Sequence, residues 1–194
     1  MTLYAQYQAR AGGGYSDIRG HLDFIYGEAL RLCARGRGRP VDLAELGVRS
    51  GNSTCALLAA IEVAGSGDLW SVDIAEPQVP DTWHGLEYWH FRLADDLSAA
   101  ARLHIRPRLD LLFIDTSHSQ DHTMAELAAY GPRVRPGGLI LCHDTQWDEG
   151  DTELDAPVGP VARALDDWCT LRHLKWENRP GSFGLGVIRV PGTW

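Results

Sequence analysis

Residues 41–54 read VDLAELGVRSGNST and decide the predicted fold of the chain. A short apolar run at 41–46 leads into a loop with Gly47 and Gly51, and a stretch rich in Ala and Leu follows at 53–64. A run of that length fits a buried strand, and the longer stretch fits a helix. A strand, a glycine turn and a helix start in this order bring the backbone close to a nucleotide-like ligand. We therefore predict a ligand site at this turn.

Two acids beside the turn add to this prediction. Glu45 stands at the end of the first strand, and Asp73 closes the next apolar run, 69–72, where a carboxylate can accept both hydroxyls of a ribose. The loop has only two glycines, so it departs from the G-x-G-x-x-G fingerprint of dinucleotide sites. The alternative is an ordinary glycine turn in another α/β protein, with Glu45 facing solvent.

Short apolar runs and helix-like stretches alternate along the rest of the chain. We predict strands at 109–114 and 139–142, a third strand ending in 91–97, helices at 21–34, 119–130 and 158–169, and a hairpin from 173–178 and 185–190. Alternation of this kind is typical of a parallel sheet covered by helices on both faces. The predicted fold is α/β, with a Rossmann-like, doubly wound, mostly parallel seven-stranded sheet and an antiparallel C-terminal hairpin.

The length of 194 residues and the 44% hydrophobic content fit a single domain. Within 1–194, we expect an N-terminal flap and helix at 1–35 and a Rossmann-like core at 41–190. The glycine-rich segment 11–17 is expected to be a frayed end or a mobile flap. Exchange of this flap between subunits is one route to a homo-oligomer.

The composition limits the possible partners. A net charge of −8 and a pI near 5.4 disfavour binding to nucleic acid or to an anionic membrane, which leaves a small molecule as the expected partner. The sequence shows neither a secretory leader pattern nor an apolar run long enough to span a bilayer, so we expect a cytoplasmic protein. The four cysteines are far apart and are expected to be reduced, with Cys142 near enough to the predicted site to be reactive.

Polar residues follow two of the predicted strands. Asp115 and His118 come directly after 109–114, and His143 and Asp144 come after 139–142. Because the carboxyl ends of parallel strands meet at one crevice, we expect these four side chains to converge on one pocket. Carboxylates there can hold a hard metal ion that acidifies a hydroxyl, and an imidazole that titrates near neutrality can take the proton.

Three motifs together resemble one enzyme family. The pattern E-x-G-x-x-x-G at 45–51 resembles the first motif of class I S-adenosylmethionine-dependent methyltransferases, which wraps a methionine moiety rather than a pyrophosphate. FIDTSH at 113–118 and RPGGLILCHDT at 135–145 look like the small bacterial family that includes macrolide-sugar O-methyltransferases and, more distantly, the metal-dependent catechol-type O-methyltransferases. The resemblance covers roughly residues 15–190.

The resemblance implies three sets of site residues. The set that binds S-adenosylmethionine comprises Glu45, Gly47, Ser50, Gly51, Ser53, Asp73, Asp95, Asp96 and Asp115. The set that binds a divalent metal, Mg²⁺ or Mn²⁺, comprises Asp115, His143 and Asp144. The catalytic set comprises His118 as general base, with Asp115 and Asp144.

Two of these assignments have alternatives. Asp95 and Asp96 occupy the position that holds adenine in the family, but the pair is also suited to cap the helix that follows. His143 departs from the family, which favours Asp, Glu or Asn there, and imidazole is an unusual ligand for Mg²⁺. His143 is therefore expected either to bind Mn²⁺ or Fe²⁺ or to orient Asp144 or the substrate.

The predicted activity is metal-assisted O-methylation of a hydroxyl on a sugar or a small natural product. The alternatives are an inactive module that only binds the cofactor, and a metal-dependent oxygenase or hydrolase that uses the same His and Asp residues. The acidic segment 148–155 is a candidate lid for a cationic aminosugar, and Trp147 is a candidate platform for the substrate. His84, His90 and His122 are interpreted as structural or exposed, because the sequence shows no partner for them at ligand spacing.

Overall fold

The computed structural model describes residues 1–13, 16–36, 39–148 and 152–192. In that part of the chain there are seven strands: β1 Asp42–Leu46, β2 Asp68–Asp73, β3 Trp89–Leu93, β4 Leu109–Ile114, β5 Val134–His143, β6 Glu177–Arg179 and β7 Leu185–Arg189. The same residues form six α-helices: α1 Leu3–Gly12, α2 Leu22–Arg35, α3 Asn52–Ala64, α4 Ala99–His104, α5 Gln120–Tyr130 and α6 Pro160–Arg172.

The strands form one sheet in the order β3-β2-β1-β4-β5-β7-β6. The first five strands of this order pair in parallel, and β7 lies antiparallel to both β5 and β6. The order reverses between β1 and β4, and ligands bind at the carboxyl ends of strands at such a point. The predicted fold class is thus confirmed, including the antiparallel C-terminal hairpin.

Two hydrophobic cores lie on opposite faces of the sheet. One contains Leu43 of β1 and the buried side chains of α1, α2 and α3, and the other contains Leu46 of β1 and those of α4, α5 and α6. Successive side chains of a strand point to opposite faces, so Glu45 shares the α3 face with Leu43. Burial of one large apolar side chain contributes roughly 1.5–3 kcal/mol. These cores therefore hold the strand ends at fixed positions.

Several elements differ from the prediction. Strand β5 begins at Val134 rather than at residue 139, because Val134 pairs with Leu109 across a register irregularity that passes over the Pro and Gly residues. Helix α1 was not predicted, since only Leu3 and Tyr7 of its ten residues are buried and its apolar pattern is weak. Of the predicted flap, Ala11 and Gly12 complete α1, while residues 14 and 15 lie outside the described part of the chain.

The four cysteines are all buried and free, as expected. The proposed reactivity of Cys142 is wrong, because its side chain is buried and burial raises the pKa of its thiol well above the ordinary value of 9.0. Among the described residues, no helix has both the length and the apolar character needed to cross a bilayer.

Candidate active site

A cavity of about 920 Å³ opens at the carboxyl ends of β1 and β4. Its volume lies at the upper end of the range for small-molecule sites, so it has room for a nucleoside-type ligand and a second small molecule. Three segments supply most of its wall: 16–18, the glycine loop (residues 47–53) and 115–118. The other residues that line it are Gln78, Asp144, Trp147 and Phe183.

The glycine loop has two positions, Gly47 and Gly51, where a larger residue would not fit. Gly47 has φ +88°, and a Cβ there would overlap the carbonyl oxygen of Asp115. Gly51 has φ +71°, and a Cβ there would lie 2.5 Å from Val79 Cγ1. Glycine is the residue that adopts positive φ without steric cost. The loop therefore passes close to β4 and keeps its backbone open towards the cavity, where Gly47, Ser50 and Ser53 line the wall.

Asp73 holds this loop in place from the end of β2. Its Oδ2 accepts hydrogen bonds from the backbone N–H groups of Val48 at 2.7 Å and Arg49 at 2.9 Å, and its Oδ1 accepts one from Ala75 at 2.9 Å. Asp73 does not line the cavity. A carboxylate has about four acceptor positions, so these bonds leave room for one more donor. Its contact with a ribose stays a prediction.

Glu45 lies behind the loop and not at the cavity wall. The side chain is fully buried, and its carboxylate accepts hydrogen bonds from Ser53 Oγ at 2.7 Å, Thr54 Oγ1 at 2.9 Å and Ser71 Oγ at 2.8 Å. Burial raises the pKa of Glu45 to about 7, against the lowering effect of these three hydroxyls. The carboxyl group therefore fixes the first turn of α3 to β1 and β2. Among its hydroxyl partners, Ser53 is the one that lines the cavity.

We expect this burial to make the stability of the protein depend on pH. The pKa of Glu45 is about 7 in the folded protein, against an ordinary 4.5, so the folded state binds the extra proton between these values. The free energy of unfolding should therefore fall by about 3 kcal/mol as pH rises through this window. Urea denaturation at pH 5 and pH 8 should show a smaller decrease for Glu45→Gln than for the wild type. The exposed Glu62→Gln is the control, and equal decreases in all three proteins would contradict the buried ionisation.

Four polar side chains converge at the ends of β4 and β5, as predicted. His118 Nε2 lies 2.9 Å from Asp144 Oδ2 and 3.7 Å from Asp115 Oδ1. His143 Nδ1 lies 2.9 Å from the same Asp144 oxygen and 3.5 Å from Asp115 Oδ1. Asp115, His118 and Asp144 line the cavity, whereas His143 is buried behind them.

The carboxylates control the protonation of both imidazoles. Burial by itself would lower the pKa of His118, but hydrogen bonds and charge from Asp115 and Asp144 raise it to about 9. Burial opposes protonation of His143 too, and the charge of Asp115 with hydrogen bonds to both carboxylates raises its pKa well above 6.5. His143 Nε2 lies 2.9 Å from the carbonyl oxygen of Ser182 and therefore donates to it. A doubly protonated imidazole has no lone pair for a metal, which favours the orienting role of His143 towards Asp144.

Two of these residues have an unusual backbone conformation. The φ of His118 is 55° and that of Asp144 is 65°, in the left-handed region that non-glycine residues seldom adopt. Residues held there cluster at ligand sites, where surrounding contacts overcome the local strain. At both strand ends the strained turn aims a polar side chain into the crevice.

The two acids expected at an adenine do not line the cavity. Asp95 is exposed, and its Oδ1 accepts a hydrogen bond from the backbone N–H of Leu97 at 2.8 Å. Asp96 is buried, and its Oδ2 lies 3.0 Å from His122 Nε2. The alternative of a helix cap is wrong for both, because Ser98 caps α4 by accepting from Ala101 N.

Trp147, the acidic segment 148–155 and two of the histidines were also assigned roles from the sequence. Trp147 lines the cavity and contacts the His118 ring edge to face, with ring centroids 5.0 Å apart. Of the candidate acidic lid, residues 149–151 lie outside the described part of the chain. The interpretation of His90 and His122 as lacking partners is wrong: His90 Nε2 lies 2.7 Å from Asp68 Oδ1, and His122 pairs with Asp96.

Sequence reasoning missed the part of the site that comes from the N-terminal segment. Arg10 of α1 donates to Ser50 O at 2.9 Å and to Asn52 Oδ1 at 2.7 Å, so α1 is fastened to the glycine loop. Asp17 lies in the cavity wall and pairs with Arg49 at 2.9 Å. No periodicity marks these residues, because they act as isolated polar contacts between distant segments.

Comparison with known proteins adds a family and a set of similar folds. Residues 44–145, just over half of the chain, match the family described as a methyltransferase domain. No curated protein sequence matches the chain. The three solved structures described below share 16–18% of their residues with the chain, so they establish the fold alone.

Three solved structures represent these matches. A Corynebacterium glutamicum protein has a TM-score of 0.66 at 17% identity, covering 97% of this chain and 89% of its own. MycE, a methyltransferase of the mycinamycin biosynthetic pathway, was solved with Mg, SAH and mycinamycin VI. Its TM-score is 0.64 at 18% identity, and the match covers 97% of this chain and 52% of MycE. CalS11, a TDP-rhamnose 3'-O-methyltransferase of calicheamicin biosynthesis, has a TM-score of 0.59 at 16% identity, and the match covers 96% of this chain and 92% of CalS11.

Proposed function

Because the chain belongs to the methyltransferase-domain family, we propose that it transfers a methyl group from S-adenosylmethionine to a hydroxyl group of a small molecule. The observation that carries the proposal is the position of His118. Its ring lines the same cavity as the glycine loop and lies 2.9 Å from the Asp144 carboxylate. A base and a cofactor loop that share one cavity suit a transfer reaction between two bound molecules.

The glycine loop is the proposed binding site for S-adenosylmethionine, which when bound supplies a methyl group already activated by its sulfonium. Ser50 and Ser53 bring hydroxyls to the cavity wall, and Asp115 brings a carboxylate. Asp73 and Glu45 hold the loop in position from behind, through Val48, Arg49 and the start of α3. The loop is thus organised before the cofactor arrives, which reduces the cost of binding.

His118 is the proposed general base in its neutral form, and because Asp115 and Asp144 raise its pKa to about 9, the fraction in this form increases as pH rises towards 9. The hydroxyl proton of the acceptor passes to Nδ1, because Nε2 already donates to Asp144 Oδ2, as the new bond between oxygen and the methyl carbon forms and the bond from that carbon to sulfur breaks. Asp144 orients the ring and stabilises the imidazolium that results. His143 in turn orients Asp144, through the 2.9 Å contact between Nδ1 and Oδ2.

The donor set is also suited to a divalent cation. Asp115, His118 and Asp144 each offer one ligand atom, and these three atoms lie within 4.8 Å of one another. Two carboxylates suit Mg²⁺ or Mn²⁺, and a cation there would hold and acidify the acceptor's hydroxyl. We propose the two carboxylates as its ligands, with His118 left to accept the proton.

A sugar hydroxyl is the acceptor class that we favour. MycE was solved with mycinamycin VI and CalS11 acts on TDP-rhamnose, and both share the fold of this chain. The cavity also has two aromatic side chains in its wall, Trp147 and Phe183, which can cover the apolar face of a sugar ring.

Methyl transfer from labelled S-adenosylmethionine to sugars, nucleotide sugars, macrolide glycosides and catechols tests the proposal. We expect turnover of at least one glycosidic acceptor, and a decrease of about 100-fold after exhaustive chelation, reversed by Mg²⁺ or Mn²⁺. Binding of S-adenosylmethionine without transfer to any acceptor would indicate an inactive module. Full activity after chelation would remove the metal from the proposal.

A further inference from the structure

A second cluster of ligand-type side chains lies outside the cavity. Asp96 follows β3, while His122 and Glu126 stand one turn apart on α5. Asp96 and Glu126 are buried, with 6% and 0% of their surfaces exposed, and His122 is half-buried. None of the three lines the cavity. The cluster is therefore separate from the proposed site of methyl transfer.

The spacing of the three side chains fits one metal ion. His122 Nε2 lies 3.0 Å from Asp96 Oδ2 and 3.8 Å from Glu126 Oε1, and one ligand atom from each residue lies within 4.8 Å of the other two. Ligand atoms about 2.1 Å from a four-coordinate ion are separated by roughly 3.4 Å. Small side-chain movements would bring all three atoms to that separation.

Two buried oxygen atoms in the cluster have no partner. Among the described residues, nothing donates a hydrogen bond to Asp96 Oδ1 or to Glu126 Oε2. No Lys or Arg in the described ranges forms an ion pair with either carboxylate, and His122 is the imidazole that lies near both. The second oxygen of each carboxylate does have a partner, His122 for Asp96 and Thr116 for Glu126, and a buried polar atom that lacks one is unfavourable. A cation between the three side chains would satisfy both orphaned oxygens.

We propose that Asp96, His122 and Glu126 bind one divalent first-row transition-metal ion. An imidazole with two carboxylates is a ligand set for Zn²⁺, Mn²⁺, Fe²⁺ or Co²⁺, whereas Mg²⁺ and Ca²⁺ prefer oxygen alone. The ion lies among one ligand atom from each of the three side chains and neutralises both carboxylates. Water completes its coordination on the exposed side of His122.

The ion stabilises the start of α5 against the segment that follows β3. Helix α5 begins directly after the turn that contains His118, with Ser119 as its N-cap. Tyr130 of the same helix donates to the backbone oxygen of Asp96, so the cluster continues an existing connection. The metal is therefore a structural brace for the wall that contains the proposed base, and it does not take part in methyl transfer.

A shared proton is the competing explanation for the two orphaned oxygens. Burial and the nearby charge of Asp96 raise the pKa of Glu126 well above 4.5, so a neutral Glu126 can donate to Asp96 when no metal is bound. One shared proton satisfies one pair of oxygens, and His122 then only pairs with Asp96 Oδ2 and is not needed to bind a metal. Metal binding and proton sharing predict different effects for His122→Ala, which makes this residue the discriminating position.

Titration with Co²⁺, followed by calorimetry and visible absorption, tests the proposal. The parent protein carries Asp144→Asn, which disables the donor set of the cavity, Asp115, His118 and Asp144. We expect this parent to bind about one equivalent of Co²⁺. Adding His122→Ala should weaken that binding by more than about 100-fold, because a ligand contributes more than a residue that only supports one. Adding His90→Ala is the matched control, since His90 also pairs with an aspartate, at 2.7 Å, and should leave binding unchanged.

Thermal unfolding provides a second readout. At a Co²⁺ concentration of 100 times Kd, the parent's Tm should rise by about 5–10 °C, and the His122→Ala protein should show no rise. Glu126→Gln keeps the size of the side chain and an acceptor for Thr116, so it tests the site in a protein that folds. The Glu126→Gln protein should likewise show no rise in Tm when Co²⁺ is added. Absence of Co²⁺ binding by the parent, or equal binding after His122→Ala, would overturn the proposal without affecting the proposed methyl transfer.

Discussion

Replacing His118 by Asn is expected to lower kcat for methyl transfer by about 10²–10⁴-fold, the usual contribution of a positioned general base. Asn cannot accept the hydroxyl proton, so the transition state loses its base. Asn is also among the residues that tolerate the left-handed backbone, and His118 has φ 55°, so the substitution adds little strain. Calorimetry should show an almost unchanged Kd for S-adenosylmethionine.

Metal affinity separates the two roles that the cluster allows for His118. If it is only the base, His118→Asn keeps the affinity for Mn²⁺ while kcat falls. If it is a ligand, kcat and the affinity for Mn²⁺ fall together. His84→Asn is a suitable control, because His84 is exposed and does not line the cavity. An unchanged kcat in His118→Asn would contradict the proposed mechanism.

Replacing Gly47 by Ala should destabilise the protein by about 2–5 kcal/mol and abolish cofactor binding, since it combines a positive φ with overpacking. The added Cβ would overlap the carbonyl oxygen of Asp115, so either the glycine loop or the end of β4 must move. Both segments line the cavity. Urea denaturation gives the loss of stability, and calorimetry with S-adenosylmethionine gives the loss of binding.

Gly65→Ala is the matched control for this substitution. Gly65 has φ +67°, and a Cβ there would meet no atom within 4 Å, so its replacement carries the backbone cost alone. We expect it to lose about 1–2 kcal/mol and to bind the cofactor normally. Equal losses of stability in the two variants would show that the loop adapts to the extra carbon, and the close approach of β1 and β4 would then not be required.

Much of the fold followed from patterns within short segments. The run 109–114 was predicted with the bounds that β4 has in the structure, because its five buried apolar residues lie between the polar Arg108 and Asp115 and leave few alternatives. Helix α1 escaped prediction, since its helical state depends on Leu3 and Tyr7 packing against α3, which is a tertiary effect. A single sequence has no local signal for such a contact.

The site was predictable where strand order alone determines it. Asp115 and Asp144 end neighbouring parallel strands, so their convergence follows from topology. The direction in which Glu45 points could not be predicted. Side chains of a strand alternate between the two faces of the sheet, which fixes the residues that share a face but leaves open which face the ligand uses. The pairing of His122 with Asp96 spans 26 residues and two elements, a distance that no motif bridges.

One hydroxyl group belongs to both sites. Thr116 lines the cavity, and its Oγ1 also donates to Glu126 Oε1 at 2.9 Å. A hydroxyl has a single proton, so a ligand that competes for it alters the charge balance around Glu126. Coupling of this kind is reciprocal. If a bound cation changes the affinity for the cofactor by some factor, the bound cofactor changes the affinity for the cation by the same factor. Through the Thr116 hydroxyl, a change at the metal cluster would thus reach the wall of the cavity that takes up the methyl donor.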